Sequence, residues 1–336
     1  MCGIVGLFDT RGKREIDREL LGRMNQIQIH RGPDEGELYT EAGVGFGHRR
    51  LSIMDVSSGQ QPLFNEDGSV VVVFNGEIYN FQELAGELAA LGHTFRTHCD
   101  TEVIVHAWEE WGENCVDRFR GMFAFGLWDR NREVLFLARD RLGIKPLYYS
   151  LLTDGILIFA SELKALLAHP DFRRDLDPLA IEDYFAYGYV PEPRTIFSQG
   201  LKLPPGHILT LHHGHRMPQP RQYWDVPFAP HGCTNAQEAQ EELIVRLRES
   251  VNIHLMTEVP LGAFLSGGVD SSAVVAMMSN LTQEPVNTCS ISFGDPAFNE
   301  SQYAQKVADR YHARHSVEQV DQDDFGLVDK LASLYD

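Results

Sequence analysis

Apolar residues recur at two spacings along the chain, and the spacing changes near residue 236. Up to about residue 215 the dominant pattern is short apolar runs punctuated by turn formers. SVVVVFNGEIYN (69–80) reads as a strand ending at Asn75-Gly76, and MFAFGLWDRNREVLFLARD (122–140) as two strands around Asp129-Arg130-Asn131. Between them, Phe81 to Leu91 and Thr101 to Trp111 carry apolar residues at helical spacing. GHILTLHHGHRMP (206–218) reads as a further hairpin with a solvated tip holding His212, His213 and His215. This is an α+β pattern with antiparallel sheets.

Beyond residue 236, strand and helix alternate. AQEAQEELIVRLRESVNIHLM places Leu243, Leu247, Val251 and Leu255 at steps of four, which is one face of an amphipathic helix. GAFLS, VNTCSISF and HSVEQV read as strands, with SSAVVAMMSNL and NESQYAQKVADRYH as the helices between them. Such alternation predicts a parallel sheet covered by helices. PQPRQYWDVPFAPHGCTN is rich in Pro and turn formers and reads as a linker. The expected organisation is therefore 1–217, a linker over 218–235, and a second domain over 236–336.

Composition narrows the function classes. The 336 residues are 43% hydrophobic and 23% charged, ordinary globular values. No run is long enough to span a membrane, and MCGIVGLF lacks the basic flank of a signal peptide. Five cysteines, Cys2, Cys99, Cys115, Cys233 and Cys289, are scattered without CxxC spacing, which points to a reducing, cytoplasmic setting. With 29 basic and 48 acidic residues the net charge is −19, so nucleic acid is disfavoured as a partner. An anionic substrate must then be held by local devices.

One such device is FLSGGVDSS, at a strand-to-helix junction. Ser266, Gly267 and Gly268 let the backbone aim N–H groups outward, the next helix adds its N-terminal end, and Ser271 and Ser272 add hydroxyls. No Lys follows the glycines, so this is not a Walker A loop. Asp270 would repel a phosphate unless it ligates Mg²⁺. The competing reading is an ordinary serine-capped helix start.

SGGVDSS resembles the pyrophosphate loop of ATP pyrophosphatases. Together with the start MCGIVG it resembles the glutamine-hydrolysing asparagine synthetase family, as do HRGPDEG, HRRLSI, FNGEIYN, DTEVI, RDRLGIKPLYY, SELKAL and VPLGAFLSGGVDSS in that order. The resemblance implies an N-terminal-nucleophile αββα sandwich followed by part of an α/β ATP-pyrophosphatase domain. It implies that Met1 is removed and that the Cys2 thiol attacks glutamine, with the freed α-amine as base. That amine titrates near 7.7–8.0 in model peptides, which suits proton shuttling. Carried over by motif, Asn75 and Gly76 form the oxyanion hole, Arg50 clamps the glutamine α-carboxylate, Asp100 takes its ammonium, and Glu77 lies alongside. Leu265 and Phe293 are expected against adenine.

The implied reaction takes glutamine, ATP with Mg²⁺ and a carboxylate acceptor, aspartate by default, to an amide, glutamate, AMP and pyrophosphate. A homodimer is the implied assembly. The family's second loop, SGxGxDE, does not occur in this sequence. A glutaminase or a glutamine- or ATP-sensing protein with a vestigial synthetase domain is therefore the alternative. Two further stretches read as structural: Arg31 and Asp34 of HRGPDEG as buried turn partners, and RDRLGIKPLYY as a strand and turn with Lys145 and Tyr148 toward a domain interface.

Overall fold

The computed structural model describes residues 1–55, 58–228, 235–295, 297, 299–320, 326 and 328–334. Cys233, read above among the scattered cysteines, lies outside them. The chain divides into two compact units, one ending at Pro227 and one following it, each described by itself.

The first unit runs β1 (Gly3–Asp9), α1 (Arg18–Gln26), β2 (Glu35–Glu41), β3 (Val44–Arg50), β4 (Leu63–Phe64), β5 (Val70–Ile78), α2 (Phe81–Leu91), α3 (Asp100–Trp111) and α4 (Cys115–Arg118). It continues with β6 (Gly121–Asp129), β7 (Val134–Arg139), β8 (Tyr148–Leu151), β9 (Ile156–Ala160), α5 (Leu163–Leu167), α6 (Pro178–Tyr187), β10 (Leu201–Lys202), β11 (His207–His212) and β12 (Arg221–Gln222). These strands make two six-stranded antiparallel sheets, ordered β10-β8-β9-β1-β3-β2 and β12-β11-β7-β6-β5-β4.

The period-2 rule places the core. In β1, Ile4 and Phe8 point between the sheets, where they meet Val71, Val73, Ala124, Trp128, Leu135 and Leu137 of the other sheet. Val5 and Leu7 point the opposite way, onto Leu20, Leu21 and Met24 of α1 and Leu163 and Leu166 of α5. On the outer face of the second sheet α3 packs over β5, with Trp108 against Phe136 at 4.8 Å and donating to Asp129 at 2.8 Å. The layers are helix, sheet, sheet, helix, the expected αββα sandwich. Because both faces of each sheet are covered, β1 and β7 are buried along their whole length.

Gly6 sits in β1 between the rings of Phe159 and Phe46 on the flanking strands β9 and β3. A Cβ there would lie 2.2 Å from the Phe159 ring and 3.0 Å from Phe46. Gly6→Ala is expected to lower unfolding free energy by about 1–3 kcal/mol through overpacking. Urea denaturation should show the midpoint falling at unchanged slope.

Two expectations change here. Of the three histidines read as a solvated tip, His215 is exposed and His212 half-buried, but His213 is packed inward. His213 stacks on Phe8 at 4.5 Å and bonds the Asp9 carbonyl through Nδ1 at 2.7 Å, because the turn after β11 is tied to the end of β1 by Gly214 N bonding the Thr10 carbonyl at 2.7 Å. Next, Arg221–Gln222, within the stretch read as linker, pairs with β11, and the Tyr223 hydroxyl donates to the Arg139 carbonyl at 2.9 Å. Pro and turn-forming residues flank that short strand and disguise it.

The second unit runs α7 (Ala236–His254), β13 (Gly262–Phe264), α8 (Val269–Leu281), β14 (Asn287–Phe293), α9 (Ser301–Arg310), β15 (Arg314–Val320) and α10 (Val328–Leu334). The three strands are parallel, ordered β13-β14-β15. Along β14 burial alternates: Thr288, Ser290 and Ser292 are covered, whereas Cys289, Ile291 and Phe293 are exposed. Among the described residues, then, the sheet is covered on one face rather than on both. No helix of the described residues is long and apolar enough to cross a membrane.

Candidate active site

The first unit holds an open pocket lined by Cys2, Arg50, Leu51, Gly76, Glu77 and Asp100 among others. Cys2 immediately precedes β1, so the sheet fixes its position. Its Sγ accepts from the Leu51 N–H at 3.4 Å, and its carbonyl accepts from Arg31 Nε at 2.9 Å. Burial pushes the thiol's pKa up. The amine of Met1 is held below its ordinary value, chiefly by burial; the nearby Cys2 opposes this, and the positive charges of Arg31 and Lys145 add to it.

Asn75 and Gly76 lie near the end of β5 and pair with Ala124 and Phe123. Asn75 is almost fully buried, yet its Nδ2 has no hydrogen-bond partner among the described residues. A buried amide donor left unpaired is costly, on the order of 1–3 kcal/mol. Gly76 cannot be larger, since a Cβ would lie 2.2 Å from the Met122 carbonyl. The close strand approach is what brings its backbone to the pocket wall.

Asp100 opens α3, whose N-cap is the Cys99 sulfur, accepting from Thr101 N at 3.4 Å. The Asp100 carboxylate accepts from Ile78 N at 2.8 Å, which ties the helix to the end of β5. Burial raises its pKa to about 6. Burial, and after it the Asp100 charge, raise Glu77 to about 8.

A raised carboxyl binds its proton more tightly folded than unfolded. The pair therefore lowers stability as pH rises from about 4, where a carboxyl ordinarily titrates, to about 8. Tm measured against pH should fall more gently through that window in Glu77→Gln than in the wild type. Identical slopes would contradict the arrangement.

Arg50 is nearly buried and lines the pocket, but its donors are engaged. Nη1 bonds both Glu35 oxygens at 3.2 and 3.3 Å, and Nη2 bonds the carbonyls of Met54 and Asp55 at 3.2 and 2.7 Å. Arg31 and Asp34 are not buried turn partners. Arg31 braces Cys2 and pairs with Glu162 at 3.0 Å, whereas the exposed Asp34 accepts from Ser52 N. Lys145 is 6% exposed. The loop carrying it is cast by the Asp140 carboxylate, which accepts from the N–H groups of Phe123, Leu142, Ile144 and Lys145 at 3.0–3.1 Å. Burial lowers the Lys145 pKa, and Glu77 opposes that.

In the second unit, Ser266–Ser272 joins β13 to α8. Gly267 has φ of +82°, and a Cβ there would lie 2.5 Å from the Tyr303 Cβ, so the turn requires glycine. Ser266 Oγ lies 3.1 Å from Ser271 Oγ and accepts from Gly268 N at 3.3 Å. Asp270 is exposed in the first turn of α8, and Ser272 is half-buried one residue beyond Ser271. Phe293, at the end of β14, is exposed. Leu265 is not: the residue is 1% exposed in a core with Val275, Ala304 and Ala308, so it offers no surface to an adenine ring.

A family model described as a glutamine amidotransferase domain matches residues 1–224, and one described as asparagine synthase matches residues 242–336. The chain belongs to the glutamine-hydrolysing asparagine synthetase family. Asparagine synthetase (glutamine-hydrolyzing) 1 of Bacillus subtilis is 39% identical over 318 residues, covering 92% of this chain and 48% of its own. Asparagine synthetase (glutamine-hydrolyzing) 3 of the same organism is 34% identical, covering 98% and 56%. A Methanocaldococcus jannaschii relative is 35% identical, covering 100% and 68%. The chain thus spans about half the length of these Bacillus relatives. To the residues read from motifs, the geometry adds Arg31, Lys145 and Glu162. Each stands inside a recognised string, but only the fold sets Arg31 on the Cys2 carbonyl, Glu162 on Arg31 and Lys145 near the N-terminus.

Proposed function

We propose that the first unit hydrolyses glutamine at Cys2 and that the chain is the glutaminase part, with the ATP loop, of a glutamine-dependent amidotransferase. The observation that carries this reading is the unpaired, buried Asn75 amide, flanked on β5 by Phe74 and Gly76, both of which line the pocket with Cys2.

Removal of Met1 frees the α-amine of Cys2. That amine, directly or through water, takes the thiol proton, and the sulfur attacks the side-chain amide carbon of glutamine. The oxyanion that forms on the amide oxygen is received by Asn75 Nδ2 and the Gly76 N–H. As the carbon–nitrogen bond breaks, the proton passes to the leaving nitrogen, ammonia departs and a γ-glutamyl thioester remains. Water then hydrolyses the thioester to glutamate and restores the thiol. Asp100 and Glu77 receive the substrate's α-ammonium, which favours their ionised forms. Arg50 receives the α-carboxylate, which must share or displace Glu35. Lys145 and Arg31 favour the neutral, proton-accepting amine.

Ammonia then attacks the carbonyl carbon of a carboxylate, aspartate by default, that ATP has adenylated with release of pyrophosphate; the acyl–phosphate bond breaks, AMP departs and the amide remains. Ser266–Ser272 would cradle the phosphates with N–H and hydroxyl donors. The exposed Asp270 fits one oxygen ligand of a phosphate-bound Mg²⁺, which when bound offsets phosphate charge. The setting proposed is cytoplasmic, and the assembly a homodimer.

The binding roles are tested by steady-state glutaminase kinetics. Arg50→Ala and Asp100→Asn are expected to raise KM for glutamine at least about tenfold with a smaller change in kcat, because the groups they hold do not change during reaction. Unchanged KM in both would overturn the assignment.

A further inference from the structure

Outside the pocket, two histidines and two glutamates converge from three separate segments. Glu66 lies in the turn after β4, His93 follows α2, and His106 and Glu109 lie one turn apart on α3. His106 Nδ1 is 3.0 Å from Glu109 Oε2 and 3.6 Å from Glu66 Oε2, and His93 Nδ1 is 3.7 Å from the same Glu109 oxygen. Glu66, His93 and His106 offer ligand atoms all within 4.8 Å of one another. Four donors at about 2.0–2.1 Å from a tetrahedral ion stand roughly 3.3–3.5 Å apart. The 3.0, 3.6 and 3.7 Å separations lie around that edge, and the Glu66, His93 and His106 atoms lie within 4.8 Å of one another, close enough to draw in around one ion.

Surrounding groups aim these donors inward. Asn65 Nδ2 holds Glu109 Oε1 at 2.7 Å, and Thr94 N holds Glu66 Oε1 at 2.9 Å, which leaves each Oε2 facing the cluster. Behind the imidazoles stand further carboxylates, Glu102 at 3.6 Å from His106 Nε2 and Glu110 at 3.6 Å from His93 Nε2. Carboxylates behind metal-bound histidines are a recurrent way of fixing the ring. His106 is wholly buried, and its Nε2 makes no hydrogen bond among the described residues. A single proton on His106 serves one contact to Glu109 Oε2; it leaves His93, against the same oxygen, unserved. A cation serves both.

We infer that His93, His106, Glu66 and Glu109 form a site for one divalent transition ion, with zinc the best fit to two imidazole nitrogens and two carboxylate oxygens. The ion would pin α3, the segment after α2 and the β4–β5 turn together. It would thereby fix the helix whose first residue is Asp100.

The test uses the intact chain, stripped with a chelator and titrated with Zn²⁺ against a chromophoric competitor. One equivalent is expected to bind, with a rise in Tm. Co²⁺ in its place should give the intense visible bands of a tetrahedral site. Asn65→Ala should weaken zinc binding about 10–100-fold, and His93→Ala and Glu66→Gln at least as much. The cobalt spectrum of the wild type needs no variant and covers the case of a substitution that prevents folding. Absence of a stoichiometric site in the wild type, or equal affinity in correctly folded Glu66→Gln, overturns the proposal and leaves His106 as a protonated ion-pair partner.

Discussion

Cys2→Ala is expected to reduce glutamine hydrolysis by more than about 10⁴-fold, the scale on which loss of a catalytic nucleophile is felt. The variant should still fold, because among the described residues the sulfur's hydrogen bonds are to the Leu51 backbone alone, while the Cys2 carbonyl keeps its bond to Arg31. Its Tm should therefore stay within a few degrees of the wild type. Mass spectrometry of wild type quenched during turnover should show a γ-glutamyl adduct on Cys2 that the variant lacks, and an N-terminus beginning at Cys2. Substantial activity in the variant, or an intact Met1 on active protein, would refute the nucleophile assignment.

Asn75→Ala is the second large effect. An oxyanion donor acts mainly in the transition state, so kcat should fall about 10²–10³-fold while KM changes little. The same substitution removes a buried amide whose Nδ2 is unpaired, so it should cost less stability than truncating a satisfied polar group. Loss of rate combined with a neutral or raised Tm is a signature that a merely structural asparagine would not give. A rise in KM alone would refute the role.

Much of the sandwich was legible in the sequence because periodicity survives in long elements. Phe81–Leu91 and the helix ending at Trp111 fall where the apolar spacing placed them, and so does the hairpin from Gly121 to Arg139. Short strands such as Arg221–Gln222 leave no period to read. Pocket residues are scattered from position 2 to position 101, and only motif resemblance joined them. Lys145 escaped that reading because its direction depends on the Asp140 carboxylate casting the loop, a tertiary effect. His213 was misread since density of histidines says nothing about the aromatic neighbours, Phe8 and Trp128, that receive it. The zinc ligands, spread over residues 66–109, have no local signature.

The Cys99 sulfur that caps α3 also lines the pocket, and burial raises its pKa steeply. It will remain a protonated, slow thiol against an electrophile lodged in the glutamine site. Cys115 is fully buried and Cys289 is exposed on the second unit. Among the described cysteines a bulk thiol reagent will therefore be consumed first at Cys289, far along the sequence from the pocket, with no loss of glutaminase. Counting modified thiols will misreport the nucleophile. Labelling with a glutamine-shaped electrophile, followed by peptide mapping, is the way to count working sites in a preparation.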